Sequence, residues 1–210
     1  MNRFGLTIAV PRGALMNETL DALQRIGIDT AEVRDNDRKL LFEDAGLITM
    51  RPSDVPTYVA AGAADIGITG KDVLMEQSDR AVYELLDLGY GGCTMVLASV
   101  EGDDPMEEAR RRLGMMRIAT KYPKIARSYF ERTGRQAEIV EVKGSVELAP
   151  LTGLAEAIVD LTATGTTLRE NGLVVREEIA VATARVVANR VAHRLKADAI
   201  DEVVEQLRAG

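Results

Sequence analysis

The sequence predicts an α/β protein with two lobes, each built on a mostly parallel sheet. Strand and helix signals alternate along the 210 residues, which is typical of parallel sheets covered by helices. The glycine-rich segment LGYGG at residues 88–92 suits a crossover between lobes, and a second crossing is expected near residues 173–178. We therefore assign residues 1–89 and 178–210 to lobe I, and residues 90–177 to lobe II.

Each element follows from the spacing of apolar residues and from the turns between them. Short apolar runs predict strands at residues 6–10, 40–42, 47–50, 64–68, 83–86, 95–99, 117–120, 137–142 and 157–160. An alternating stretch predicts a last strand at residues 178–189. Helical spacing and cap residues predict helices at residues 14–26, 53–61, 73–76, 106–113, 123–132, 146–151 and 197–207, with another beginning at residue 168. Ligands are expected at the carboxyl ends of strands, in the cleft of such a fold.

Composition restricts the class of protein. The chain is 46% hydrophobic and 28% charged, as in soluble globular proteins. Its net charge of −7 argues against nucleic-acid binding, since such proteins neutralise phosphates with Lys and Arg. Pro11 and Gly13 interrupt the N-terminal apolar run, so we expect neither a signal peptide nor a membrane span. With Cys93 as its single cysteine, the chain is expected to be cytoplasmic.

The segment AIVDLTATGTTL at residues 157–168 predicts a phosphate-binding loop. A buried strand ends in Asp160, and a loop of small and hydroxyl residues leads into a helix: Thr162, Ala163, Thr164, Gly165, Thr166 and Thr167. Backbone N–H groups at such a turn attract anions, and Gly165 allows close approach. Asp160 could then accept hydrogen bonds from sugar hydroxyls. The alternative is an ordinary strand-to-helix connection in which Asp or Thr is only a helix cap.

Other turns could supply cations to a phosphate. Arg12 follows the first strand and Arg51 the third, although both could equally be surface charges. The turn Gly70-Lys71-Asp72 is a further candidate, with Asp72 explained equally well as a cap. His193 is the single histidine and has no partner at motif spacing, so zinc sites and Cys/His nucleophile pairs are excluded. The chemistry must depend on positioning, on cations, and on magnesium carried by phosphates.

Six segments together resemble one family in particular, the ATP phosphoribosyltransferases in their short form. The segments are AVPRG at 9–13, MRPSDVP at 50–56, ADIGITGKDVL at 64–74, ATKYP at 119–123, GSVELAP at 144–150, and GLAEAIVDL through TGTTL at 153–168. The resemblance implies the fold of type II periplasmic binding proteins, with two lobes and two crossovers. It also implies the first step of histidine biosynthesis, in which phosphoribosyl pyrophosphate and ATP, with Mg2+, give N-1-(5-phosphoribosyl)-ATP and pyrophosphate.

The resemblance assigns a role to each candidate residue. It implies that the loop at residues 162–167 binds the 5′-phosphate, and that Asp160 and Glu156 bind the ribose side of the donor. It also implies that Arg12 and Arg51 are catalytic residues and that they face the ATP phosphates or the leaving pyrophosphate. ATP or pyrophosphate binding is implied for Gly13, Gly70, Lys71 and Asp72. Many members carry Lys where this chain has Arg12, which keeps the charge but changes the hydrogen-bond geometry.

The length of the chain predicts its partners, and three rival functions predict other features of the sequence. A chain of 210 residues leaves no room for the regulatory domain of long forms, so we expect a homodimer that also joins a regulatory subunit similar to histidyl-tRNA synthetase. One rival is a solute-binding protein of the same fold, which predicts an export signal and no phosphate loop. Another is a purine-salvage phosphoribosyltransferase, which usually has two adjacent acids where this chain has Asp160 and Leu161. A scaffold subunit without activity is disfavoured by the intact loop.

Overall fold

The computed structural model describes residues 2–36 and 38–209, which divide into two compact units. Unit 1 comprises the described residues through Gly91 together with those from Thr183 onward, and unit 2 is Gly92–Ala182. The limits 1 and 210 of the predicted lobe I lie outside the described residues. In chain order the elements are β1 (Ile8–Pro11), α1 (Met16–Arg25), α2 (Ala31–Asp35), β2 (Leu41–Phe42), β3 (Leu47–Met50), α3 (Val55–Ala60), β4 (Ile66–Gly70), α4 (Lys71–Glu76), β5 (Val82–Asp87), β6 (Cys93–Val100), α5 (Pro105–Leu113), β7 (Met116–Thr120), α6 (Pro123–Arg132), β8 (Ala137–Glu141), α7 (Leu148–Leu151), β9 (Ala157–Thr162), α8 (Thr166–Glu170), β10 (Leu173–Ala182), β11 (Ala184–Asn189), α9 (Arg190–Leu195) and α10 (Ala197–Ala209).

Unit 1 is built on a sheet with strand order β2-β3-β1-β4-β11-β5. The central strands β1 and β4 are buried along their whole length, which explains why they are continuous apolar runs in the sequence. Residues from β1, α1, β4 and α10 form one core, including Ile8, Leu23, Ile66 and Val203. Strands β1 and β3 are parallel and in register from Ile8↔Leu47 to Pro11↔Met50, so their carboxyl ends lie side by side.

Unit 2 is built on a second sheet with strand order β10-β6-β9-β7-β8. Strand β9 lies between β6, to which it is antiparallel, and β7, to which it is parallel. Its first four residues are buried, and Ile158 packs with Val96, Ala119 and Leu168 in the core of this unit. The strand that precedes the predicted phosphate loop is thus fixed on both sides.

The α/β class is confirmed, but the sheets are mixed rather than mostly parallel. Of the nine strand pairs formed by the described residues, four are parallel and five antiparallel. One antiparallel pair is formed by β2 with β3, the strand that follows it. The others involve the strands next to the crossovers, which are β5, β6, β10 and β11. Apolar runs reveal that a strand is buried but not its direction, so these pairs were not distinguished in the sequence.

The second crossing was predicted in the wrong place. Strand β10 occupies the expected crossing at residues 173–178 and pairs with β6 as far as Ala182↔Cys93. The predicted single strand at 178–189 is two strands in different sheets, and the chain leaves unit 2 between Ala182 and Thr183. No glycine or proline stands at this point, so the sequence contains no break to mark it. The first boundary lies at Gly91, two residues beyond the predicted limit of 89.

Two further helices, α2 and α9, were not predicted from the sequence. Each is only about one to two turns long, which is too short for an apolar period to be evident. Asn189 caps α9 by accepting hydrogen bonds from the N–H groups of Val191 and Ala192 at 2.8 Å.

Among the described residues no helix is both long and apolar enough to cross a membrane.

Candidate functional site

The hydroxyl-rich loop of unit 2 follows β9 directly and leads into α8. Gly165 adopts φ +71°, the left-handed region that favours glycine. Its N–H donates to the Thr162 hydroxyl oxygen at 2.8 Å, and the hydroxyl groups of Thr164 and Thr166 lie 2.9 Å apart. The loop is therefore organised by hydrogen bonds from its own threonines.

Arg169, which lies on α8, stabilises this loop by hydrogen bonds. Its Nη1 donates to the Thr164 carbonyl at 2.9 Å, and its Nη2 donates to the Thr166 hydroxyl at 3.1 Å. A Cβ at Gly165 would lie 2.9 Å from the same Nη1, so a larger residue would displace the end of the Arg169 side chain, while the positive φ is what favours glycine here. Arg169 was not among the site residues predicted from the sequence. Its signal would have been an arginine within one turn of the loop, in TTLRENG.

Asp160 is a buried carboxylate beside the loop, with only 7% of its surface exposed. Its Oδ1 accepts the Leu161 N–H at 2.9 Å, and Lys121 Nζ lies 3.5 Å from Oδ2. Burial raises the pKa of Asp160, an effect that the Lys121 charge opposes and the nearby Glu147 charge reinforces. A carboxylate with so few partners is suited to accept hydrogen bonds from a ligand hydroxyl.

These groups line one cavity of about 360 Å3 in unit 2. Its walls come from the loop and from the turns after β7 and β8: Lys121, Tyr122, Glu147, Asp160, Leu161, Thr162, Ala163, Thr164, Thr166, Thr167 and Leu168. Thr120 holds the turn after β7 in place, since its hydroxyl donates to the Val159 carbonyl at 2.7 Å. A cation, a carboxylate and a row of small polar groups thus share one volume, which fits a phosphorylated sugar.

Lys121 and Glu147 were not among the predicted site residues. Both stand in segments that the sequence analysis had singled out, ATKYP and GSVELAP. The missing information was strand order, because only the pairing of β7 with β9 brings Lys121 beside Asp160.

The structure does not bring Glu156 to this cavity. Glu156 precedes β9, whereas the loop follows it, and the four residues to Asp160 span roughly 13 Å of extended chain. The Glu156 carboxylate instead accepts hydrogen bonds from Arg117, at 2.6 Å from its backbone N–H and at 2.5 Å from Nη2. Burial alone would raise the pKa of Glu156, but the hydrogen bonds and charge of Arg117 lower it. The structure thus places Glu156 away from this cavity, and its contact with the donor stays a prediction.

Arg12 and Arg51 line a second cavity, of about 750 Å3, in unit 1. They follow the adjacent carboxyl ends of β1 and β3, and the Arg12 N–H donates to the Met50 carbonyl at 2.7 Å. The rest of the wall is largely apolar: Leu40, Leu41, Ile48, Thr49, Met50, Asp54, Tyr58 and Ala63. Two guanidinium groups beside an apolar surface fit a nucleotide phosphate with its base.

The turn that carries Arg51 is anchored to the body of unit 1. The buried Thr69 hydroxyl donates to the Pro52 carbonyl at 2.8 Å, and Gln77 Nε2 donates to the Ser53 carbonyl at 2.7 Å. Helix α3, which follows the turn, packs so closely on β4 that a Cβ at Gly67 would lie 2.6 Å from Val55 Cγ1. The direction in which Arg51 leaves the sheet is fixed by these contacts.

The four other predicted site residues of unit 1 are not among the residues that line the cavity of Arg12 and Arg51. Gly13 adjoins Arg12 at φ +83°, and Gly70 is the N-cap of α4. Lys71 Nζ forms an ion pair with the Glu84 carboxylate at 2.6 Å. Both residues line a different cavity, of about 320 Å3. Asp72 has a pKa raised by burial and accepts a backbone hydrogen bond from Val73. Binding of ATP or pyrophosphate by these four residues stays a prediction.

Comparison with known proteins decides the family. Residues 51–209 match the family model described as HisG, ATP phosphoribosyltransferase. The chain belongs to the ATP phosphoribosyltransferase family. An ATP phosphoribosyltransferase from Rubrobacter xylanophilus is 54% identical over 195 residues, which cover 91% of this chain and 90% of that protein. The chain is thus a pentosyltransferase, and the predicted place at the first step of histidine biosynthesis is confirmed.

Solved structures confirm the fold of this ATP phosphoribosyltransferase family member. The ATP phosphoribosyl transferase (HisG:HisZ) complex from Thermotoga maritima contains a chain 35% identical, with a TM-score of 0.79 and 96% of both chains covered. The BvgS VFT2 domain from Bordetella pertussis has a TM-score of 0.58 at 16% identity, covering 96% of this chain and 91% of that one. The second match concerns the fold alone, and it agrees with the predicted similarity to type II periplasmic binding proteins.

Proposed function

We propose that this chain transfers the phosphoribosyl group of phosphoribosyl pyrophosphate to N-1 of the adenine of ATP, using the unit 2 cavity for the donor and the unit 1 cavity for the acceptor. The observation that carries the donor assignment is the buried carboxylate of Asp160 in one volume with the threonine loop and Lys121. The loop groups would bind the 5′-phosphate, and Asp160 would accept hydrogen bonds from the ribose hydroxyls.

The reaction requires no covalent nucleophile from the protein. The lone pair of adenine N-1 forms a bond to the anomeric carbon, and the bond from that carbon to the pyrophosphate oxygen breaks with its electron pair leaving on pyrophosphate. The protein must hold two polyanions in line and stabilise the charge that develops on the leaving group. Arg12 and Arg51 are suited to hold the ATP phosphates in the unit 1 cavity, because a guanidinium donates two parallel hydrogen bonds to phosphate oxygens.

We extend the proposal to Mg2+ carried by the substrate phosphates. The described residues contain no group of three or more His, Cys, Asp or Glu side chains that could hold a metal, so phosphates would provide most of its ligands. Glu147 and Asp160, the carboxylates of the unit 2 cavity, are the residues that would hold it from the protein side. When bound, the ion would neutralise charge on the departing pyrophosphate.

The proposal also includes assembly and location. The relative from Thermotoga maritima is a HisG:HisZ complex, which supports a hetero-oligomer with a HisZ-type regulatory subunit similar to histidyl-tRNA synthetase. We propose that the catalytic chain itself forms a homodimer. Cytoplasmic location is part of the proposal because ATP and phosphoribosyl pyrophosphate are intracellular metabolites.

The test is to mix the purified chain with ATP, phosphoribosyl pyrophosphate and Mg2+, with and without the partner subunit. Phosphoribosyl-ATP is the expected product, and its absence under both conditions would contradict the function. Histidine is expected to inhibit only when the partner is present. Strong inhibition of the chain alone by histidine would refute regulation by a separate subunit.

A further inference from the structure

The ammonium group of Lys121 lines the unit 2 cavity and is only loosely paired. Its Nζ lies 3.5 Å from Asp160 Oδ2. In the ion pairs of Lys71 and Lys196 the corresponding distances are 2.6 and 2.8 Å, and charge-assisted hydrogen bonds are typically about 2.7–2.9 Å long. The Lys121 side chain is 38% exposed. Its ammonium group is therefore accessible to an anion that enters the cavity.

The charges around this cavity make Lys121 important for any polyanion. Among the described residues of the wall, Lys121 alone is positive, whereas Glu147 and Asp160 are negative. Phosphoribosyl pyrophosphate adds further negative charge at both ends of its ribose. Because like charges repel more strongly where water is partly excluded, one ammonium group here lowers the free energy of binding such a ligand.

The position of Lys121 follows from the pairing of β7 with β9. Thr120 and Val159 are register partners, so the residues that follow them, Lys121 and Asp160, lie at adjacent points of the sheet. The Thr120 hydroxyl donates to the Val159 carbonyl at 2.7 Å and accepts the Tyr122 N–H at 2.8 Å. The backbone of this turn is thus fixed, and a change in the contacts of Lys121 requires only rotation of its long side chain.

The covalent structure of the donor indicates which of its groups Lys121 would meet. In phosphoribosyl pyrophosphate the 2-hydroxyl is on the carbon next to the one that bears the pyrophosphate, whereas the 5′-phosphate is at the other end of the sugar. The backbone N–H groups of the loop are suited to the 5′-phosphate, and Asp160 to the hydroxyls. A cation that contacts the carboxylate holding these hydroxyls is within reach of the pyrophosphate.

We propose that the Lys121 ammonium group binds the pyrophosphate of the donor and stabilises the charge that develops on it as it leaves, which makes Lys121 a catalytic residue. This inference rests on the proposed function, in which the unit 2 cavity takes phosphoribosyl pyrophosphate. Before the donor binds, Lys121 compensates the charge of Asp160. When ribose hydroxyls donate to that carboxylate, the ammonium group turns to the pyrophosphate.

Lys121 stays protonated throughout this step. As the bond from the anomeric carbon to the pyrophosphate oxygen breaks, its electron pair remains on that oxygen, and the ammonium N–H groups donate to the oxygens of the leaving group. The stabilisation is electrostatic and is greatest when the charge on the pyrophosphate is fully developed.

The test compares Lys121→Met with Lys121→Arg in the full chain, by calorimetric titration at one fixed Mg2+ concentration. The ligands are phosphoribosyl pyrophosphate and ribose 5-phosphate, which lacks the pyrophosphate. A hydrogen bond to a charged group corresponds to about tenfold in affinity or more. We expect the Kd for phosphoribosyl pyrophosphate to rise by at least about tenfold in Lys121→Met, and the Kd for ribose 5-phosphate to stay within about twofold. Lys121→Arg keeps the charge and should retain most of the donor affinity.

Two results of these titrations would overturn the inference. One is unchanged affinity for phosphoribosyl pyrophosphate in Lys121→Met. The other is an equal loss for both ligands, since Lys121 would then act only through Asp160 or on the 5′-phosphate. If Lys121→Met does not fold, Lys121→Gln provides the same comparison.

A matched control is Lys196→Met in unit 1. The side chains of Lys196 and Asp65 are 42% and 15% exposed, close to the 38% and 11% of Lys121 and Asp160. Loss of the Lys196 pair should lower the Tm and leave the affinity for phosphoribosyl pyrophosphate unchanged. An equal loss of donor affinity in Lys196→Met and Lys121→Met would assign the effect to net charge or stability and would contradict the inference.

The result is separable from the proposed function. Product formation by the wild-type chain tests the reaction, and if none is formed the titrations still decide whether Lys121 binds the pyrophosphate. In steady-state kinetics the kcat of Lys121→Met should fall by at least about tenfold, because the leaving group loses a cation. The Kd for ATP should not change. A kcat equal to that of wild type would refute the catalytic role of Lys121.

Discussion

The two cavities that we propose for phosphate-bearing ligands differ in the groups that would hold the phosphate. The unit 1 cavity, of about 750 Å3, combines Arg12 and Arg51 with a mostly apolar wall. The unit 2 cavity, of about 360 Å3, is lined by small hydroxyl residues around the carboxylate of Asp160 and has Lys121 as its cation. The first depends on charged side chains and the second on the exact shape of a loop. Substitutions in the unit 1 cavity should therefore act mainly through the loss of charge. Substitutions in the unit 2 cavity should act mainly through the geometry of the loop.

The largest effect is expected for Arg51→Gln in unit 1. Loss of a cation that we propose binds the ATP phosphates should lower kcat/KM for ATP by about 100-fold or more. Steady-state kinetics with both substrates would measure this, with Arg25→Gln on the exposed end of α1 as the control. A kcat/KM for ATP within a few-fold of wild type would mean that Arg51 is a surface charge.

The next effect is expected for Asp160→Asn in unit 2. Loss of charge-assisted hydrogen bonds to the ribose should weaken the affinity for phosphoribosyl pyrophosphate by about 10- to 100-fold, as measured by calorimetry. Because burial raises the pKa of Asp160, the ionised carboxylate destabilises the free fold above that pKa, and the penalty is relieved as pH falls through it. The variant should therefore have a higher Tm than wild type at neutral pH, and this difference should shrink in acid. Unchanged donor affinity would refute the contact with ribose.

A smaller effect is expected for Arg169→Gln, which tests loop geometry without altering the cavity carboxylate. Losing the hydrogen bonds to Thr164 and Thr166 should raise the KM for phosphoribosyl pyrophosphate by about three- to tenfold. The KM for ATP should not change. Arg169→Lys keeps the charge but not the two-pronged geometry, so full activity in that variant would show that charge alone matters.

The smallest effect on activity is expected for Glu156→Gln, at the far end of β9 from the loop. The donor KM should stay as in wild type, while the Tm should fall by a few degrees as the hydrogen bonds with Arg117 weaken. Because the folded-state pKa of Glu156 is lowered, its stabilisation is complete above the ordinary glutamate pKa and is lost as pH falls through the folded value. Thermal melts from neutral to acidic pH should thus converge for the two proteins. A large rise in donor KM would restore Glu156 to the site.

Sequence reasoning found the elements whose signals are local. Helix α6 has the predicted bounds of 123 and 132, because Pro123 begins it and its apolar spacing is regular. The loop after β9 was found from its small residues and its glycine. Arg12 and Arg51 were found because each follows an apolar strand at a turn, and parallel pairing of β1 with β3 then brings both to one cavity.

What the sequence could not provide depends on contacts between distant segments. Lys121 reaches Asp160 only because β7 pairs with β9, and Glu156 is separated from the loop by the length of a strand. The break between β10 and β11 carries no turn residue, so two strands looked like one.

The ladder between β6 and β10 has a further consequence for how this protein can be divided. Cys93 and Ala182 are register partners, so the first and last strand residues of unit 2 lie next to each other in its own sheet. Unit 2 is one continuous segment of chain with its own core, whereas unit 1 is assembled from two segments. Adjacent ends are the arrangement that tolerates circular permutation and domain insertion. Unit 2, the half that we propose binds the donor, is therefore a module that gene fusion or exchange between relatives could move as a single piece.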